Sequence, residues 1–220
     1  MTKPTLIAVL LLLAGCASTP PLHKAGAGAS SPDAALHQLM DGNARFVANR
    51  PINGGSHAAR RAEVAKGQKP IAVIVCCSDS RVGPELVFDQ DLGDIFVVRT
   101  AGNVVADVEM GSIEYAVDHL HATLILVAGH ERCGAVTAAV EGGHAPGHVG
   151  AITHLIDPAV AKSKGQPGDA VENAVTENVR EVVNQLATAD PILSAHVKDG
   201  SLKVVGARYD LDTGKIELVK

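Results

Sequence analysis

The chain has 220 residues, 46% hydrophobic and 20% charged, a balance that suits one globular domain with a core of Val, Ile, Leu and Ala. A formal charge of −5, a pI near 6.0 and only 2% aromatic residues argue against a nucleic-acid binder, which needs a basic face or stacking platforms. Four cysteines at positions 16, 76, 77 and 133 do not form the spaced framework of a small disulfide scaffold.

Met1 to Ala14 reads as a leader, with Lys3 as a short basic start and Leu6–Leu13 as an apolar run. That run is too short for a spanning helix of about 20 residues but suits the core of a signal peptide. Leu13-Ala14-Gly15-Cys16 resembles the lipobox of bacterial lipoproteins. The resemblance implies removal of residues 1–15 and lipidation of Cys16, with an ordinary signal peptide as the alternative. Ala17 rather than Asp after the cysteine implies the outer membrane, hence a periplasmic, lipid-anchored protein whose only membrane contact is the anchor. Residues 16–31, rich in Ala, Gly, Ser and Pro, read as a tether, and the folded domain as 32–220.

Ser31-Pro32-Asp33 supplies an N-cap, a proline at the first helical position and an acidic first turn, so a helix is expected to about Asn49. Ile71–Val75, Ile95–Val98 and Thr123–Ala128 have the length and β-branched content of buried strands. Asp107 to Leu120 and Val171–Leu186 carry apolar residues at helical spacing, while Lys203–Tyr209 and Ile216–Val219 read as a terminal hairpin. Alternating strands and helices predict an α/β fold with a central, mainly parallel sheet flanked by helices and a C-terminal hairpin strand. Functional groups in such sheets gather at the carboxyl ends of strands.

Two clusters fall at such ends: Cys76-Cys77-Ser78-Asp79-Ser80-Arg81 and Gly129-His130-Glu131-Arg132-Cys133-Gly134. Cys, His and Asp are ligand types for a tetrahedral zinc ion, and the spacing of His130 and Cys133 lets both meet one ion. Cys77 and Asp79, two apart, project from one side of an extended backbone. Cys76 then faces the opposite side, into the core. Glu131 and Arg132 read as solvated or supporting, and His144, His148 and His154 as members of a solvated, Gly-rich loop.

Cys-Ser-Asp-Ser-Arg at 77–81, His-Glu-Arg-Cys-Gly at 130–134 and the stretch Gly93–Asn103 strongly resemble the β-class carbonic anhydrases, from about Asp33 to Val205. The resemblance implies a zinc enzyme with Cys77, His130 and Cys133 as ligands and Asp79 and Arg81 as the catalytic dyad. Asp79 becomes a ligand only in a closed state. Gln68, Phe96 and Tyr115 match residues lining the substrate pocket. The implied reaction is the reversible hydration of carbon dioxide to bicarbonate and a proton by zinc-bound hydroxide, in a homodimer or homotetramer. Alternatives on the same scaffold are a carbon disulfide or carbonyl sulfide hydrolase, and a noncatalytic protein that binds zinc or bicarbonate.

Overall fold

The computed structural model describes residues 31–53, 58–143 and 145–220. The leader, Cys16, most of the tether and His144 lie outside them. The elements run α1 (Pro32–Val47), α2 (Ala58–Val64), β1 (Ala72–Cys76), α3 (Pro84–Val87), β2 (Ile95–Arg99), α4 (Asp107–Asp118), β3 (Leu124–His130), α5 (Gly134–Glu141), α6 (Val149–Ser163), α7 (Ala170–Ala187), α8 (Ile192–Lys198), β4 (Lys203–Tyr209) and β5 (Ile216–Val219). A 3-10 turn, Ala101–Asn103, follows β2.

The five strands form one sheet in the order β2-β1-β3-β4-β5. The first four are parallel, and β5 pairs antiparallel with β4. Every residue of β1 and β3 is buried, as expected of central strands covered on both faces. One face, with Ala72, Ile74, Cys76, Leu124 and Leu126, packs on Ala35 and Leu39 of α1. The other, with Val73, Val75, Ile125 and Val127, packs on Ile113 of α4 and on Val179, Val182 and Leu186 of α7. Cys76 thus lies in the core on the α1 side, as alternation predicts, and its burial raises the thiol pKa to about 12.

Local chemistry sets the helix starts. Ser31 accepts a hydrogen bond from the Ala34 N–H, and Asp169 accepts from the Val171 and Glu172 N–H groups at the start of α7. The expected loop after Gly143 is instead largely helix: His148 caps α6 and exposed His154 lies within it. The cause is the burial of Ile156 and Ala159 against the layer formed with α5 and α7, despite Pro158. Strand β3 extends two residues beyond the expected Ala128, so His130 is held by sheet pairing to Tyr209.

Candidate metal centre

The carboxyl ends of β1 and β3 are adjacent, since Cys76 pairs with Ala128. Cys77 follows β1, His130 ends β3 and Cys133 caps α5, three residues after His130. Their ligand atoms all lie within 4.8 Å of one another and all three residues are buried. Val104, Val136, Ile156 and Val175 pack around Cys77 and Cys133 at this end of the sheet.

The donor set fits a tetrahedral zinc ion. Bond lengths of about 2.3 Å to sulfur and about 2.0 Å to nitrogen space such ligands roughly 3.5 Å apart. The Nδ1–H of His130 donates to the Glu131 carbonyl at 2.8 Å, which leaves Nε2 as the free lone pair. That Nε2 is buried with no hydrogen-bond partner, an arrangement that costs free energy unless something accepts the lone pair. The Cys77 thiol is pushed down. A hydrogen bond from the Cys133 thiol lowers its pKa most, and His130 and the Gly102 N–H, 3.2 Å from its sulfur, lower it further. Cys133 is raised, because it donates to Cys77 and because it is buried. For His130 burial acts to lower the pKa, yet the nearby Cys77 and the carbonyl of Glu131 leave it raised overall.

Asp79 stands beside this group. Its Oδ2 is 3.7 Å from His130 Nε2. The Arg81 guanidinium grips it in a fork, Nε to Oδ1 at 2.9 Å and Nη2 to Oδ2 at 2.8 Å, while the Arg81 backbone N–H also donates to Oδ1. These bonds hold the Asp79 carboxyl well below the usual carboxylate range. Asp79 is therefore paired with Arg81 and stands outside the group of Cys77, His130 and Cys133.

Supporting residues that the motifs did not single out complete the site. Arg99, at the end of β2, donates to the carbonyls of Cys77, Asp79 and Val82 and so fixes the loop that carries Cys77, Asp79 and Arg81. Buried Asn178 donates to the Gly102 carbonyl at 2.8 Å. Gly102 has φ +70, and a Cβ there would come within 2.8 Å of Ile156, so only glycine offers its N–H to Cys77 without displacement. The available signals were a charged residue closing an apolar strand and an Asn within the apolar stripe of α7. Glu131 and Arg132 prove structural: Glu131 pairs with Arg208, and Arg132 makes two 3.0 Å bonds to Asp212.

The chain does not bring Gln68, Phe96 and Tyr115 to this centre. Gln68 precedes β1 and lines a cleft of about 220 Å³ with Arg60, Val64 and Gly93 at the amino end of the sheet. Phe96 pairs with Val73. Tyr115 is on α4, half exposed and stacked on His119. A five-residue strand at roughly 3.3 Å per residue separates the Gln68 end from Cys77.

A buried Cys2His group with a forked Asp–Arg pair beside it, at the carboxyl edge of a parallel sheet, is a donor set suited to holding a metal ion in tetrahedral geometry, as in α/β metalloenzymes. The comparisons narrow the class. The family described as carbonic anhydrase matches residues 72–216. A protein named carbonic anhydrase 2 from Mycobacterium tuberculosis is 43% identical over 193 residues, spanning 86% of this chain and 93% of its own. A carbonic anhydrase of Synechococcus elongatus is 30% identical, spanning 82% of this chain and 70% of its own. Among solved structures, the Coccomyxa β-carbonic anhydrase in complex with acetazolamide superposes with a TM-score of 0.67 at 30% identity, covering 84% of this chain and 86% of that one. The chain belongs to the carbonic anhydrase family, β class, and its reaction is the reversible hydration of carbon dioxide.

Proposed function

We propose that Cys77, His130 and Cys133 hold a zinc ion with one position left to water, and that Asp79 and Arg81 control that position. The observation that carries this reading is the buried, partnerless Nε2 of His130 beside two thiols. When bound, zinc supplies a Lewis acid that lowers the pKa of a water from 15.7 toward about 7, making a nucleophile for carbon dioxide. Asp79 Oδ2, ionised and held by Arg81, can only accept hydrogen bonds. It therefore orients a proton-bearing water and favours a bicarbonate oxygen that carries a proton over one that does not. The Arg81 fork also keeps this carboxylate from taking the fourth position itself.

Gln68, Phe96 and Tyr115 serve the centre of a second copy in this reading, because their own chain holds them at the wrong end or face of the sheet. Two β-carbonic anhydrases of similar fold from Sordaria macrospora are tetrameric, in keeping with assembly of this kind. The residues before Ser31 are read as a cleaved lipoprotein signal, lipidated Cys16 and tether, which would place the enzyme in the periplasm on the outer membrane. Metabolic labelling with a fatty acid, lost in Cys16→Ser, tests this. No helix among the described residues is long and apolar enough to cross a membrane.

Two thiolates cancel the charge of a divalent ion, whereas three imidazoles leave it intact, so the water pKa here lies above that of three-histidine sites. Stopped-flow rates should rise from about pH 6.5 to about pH 9. Asp79 does not cause that rise. A depressed carboxyl is ionised throughout this window, and its pair with Arg81 is lost only as pH falls through the depressed value. A rate already level from neutral pH upward overturns this ligand-charge argument.

In an oxidising compartment the same thiols are vulnerable. Zinc-loaded protein under mild oxidant should retain its thiols, while chelated protein loses Cys77 and Cys133 first, as read by thiol titration and mass mapping. Equal loss from both forms contradicts protection by the metal.

A further inference from the structure

The two-residue turn between His130 and Cys133 carries an unusual load. Arg132 adopts φ +49, a left-handed conformation that a non-glycine residue seldom takes without support. The peptide unit joining Glu131 to Arg132 faces two ways. Its carbonyl oxygen accepts the Nδ1–H of His130 at 2.8 Å, and its N–H donates to Glu172 Oε1 at 2.8 Å. A peptide is planar and trans, so its oxygen and hydrogen point in opposite directions and turn together. Whatever fixes the N–H therefore fixes the acceptor that sets the His130 ring.

Glu172 is itself well held. It lies in the first turn of α7, its N–H capped by Asp169, and its second oxygen accepts from Arg208 Nη1 at 3.0 Å. Arg208 is set beside the turn by β3–β4 pairing, which aligns it with Gly129, and it also reaches Glu131. The next carbonyl along, that of Arg132, lies 3.5 Å from Arg81 Nη2, so the same turn borders the dyad.

We propose that Glu172 is a positioning residue for the metal centre: by accepting the Arg132 N–H it locks the Glu131–Arg132 peptide plane and thereby aims His130 Nε2 at the point shared with Cys77 and Cys133. This inference rests on the zinc reading above. Groups that orient a ligating histidine typically contribute 10–100-fold to metal affinity.

The test compares the purified wild-type chain with E172A, E172Q and E172D. Zinc affinity is measured by chelator competition, and the visible spectrum after cobalt(II) replaces zinc. E172A should bind zinc about 10–100-fold more weakly with shifted cobalt bands. E172Q keeps an oxygen acceptor at the same reach, while Arg208 turns to Glu131, and should restore both readouts. E172D keeps the charge and is the variant least apt to misfold, but withdraws the oxygen by one bond length, about 1.5 Å. It should resemble E172A. Wild-type affinity and spectrum in E172A or E172D, with only thermal stability reduced, overturn the proposal, as does an E172Q as weak as E172A. A wild-type chain that binds no zinc overturns the zinc reading itself, and with it this inference.

Discussion

His130→Ala is expected to remove both the metal and the activity. His130 is fully buried at the end of β3, and its Nε2 is the one nitrogen in the three-ligand group. Alanine leaves two thiols and removes the nitrogen donor of the group. Without the ion, water keeps a pKa of 15.7 and the site has no hydroxide nucleophile to offer at neutral pH. Hydration measured by stopped-flow with a pH indicator should drop to the buffer background. Metal analysis should show zinc well below one per chain. Chelation of the wild-type protein should give the same loss, reversed by added zinc if the thiols are kept reduced. A His130→Ala protein that retains stoichiometric zinc and near-normal rates would refute this ligand set.

Asp79→Asn is expected to separate catalysis from metal binding. Asp79 lies beside the ligand group but outside it, with Oδ2 3.7 Å from His130 Nε2. Zinc content should therefore stay at the wild-type level. The amide, however, places an NH2 where the carboxylate faced the three donor groups of Arg81, so the fork is lost along with the fixed acceptor. A positioned acid–base group typically contributes 10²–10⁴-fold, and kcat/KM should fall by about that factor. Arg81→Lys should also lower the rate, because a single ammonium cannot make the fork and frees the carboxylate to approach the metal. Undiminished kcat/KM in Asp79→Asn with zinc bound would remove Asp79 from the mechanism.

The sites of these substitutions were legible in the chain because their chemistry is local. Cys77, Asp79 and Arg81 sit within five residues, and His130 and Cys133 within four, each cluster following an apolar run that could only be a buried strand. The periodicity of Val175, Val179, Val182 and Leu186 likewise foretold α7 and its buried face. Helix α6 was not legible. Gly150, Pro158 and the neighbouring histidines weaken its local preference, and it becomes helical because Ile156 and Ala159 pack into the layer with α5 and α7.

The supporting residues were hidden for a related reason. Arg99, Asn178, Glu172 and Arg208 come from three elements, β2, α7 and β4, and each is an ordinary polar residue until strand register and helix packing set it against a particular carbonyl or carboxylate. The sequence by itself placed ligand-type residues at two strand ends, since spacing along one strand or turn decides which side chains share a side, while the roles of Asp79 and Arg81 came only from the family resemblance. Only the tertiary structure decided that the Glu131–Arg132 peptide is held by α7, and that Gln68, Phe96 and Tyr115 lie away from the centre of their own chain. Those relations join residues distant in sequence, and their geometry follows from β1–β3 and β3–β4 pairing and from how closely α7 packs on the sheet. At Gly129 a Cβ would meet Val179 at 2.6 Å, a closeness that no local pattern specifies.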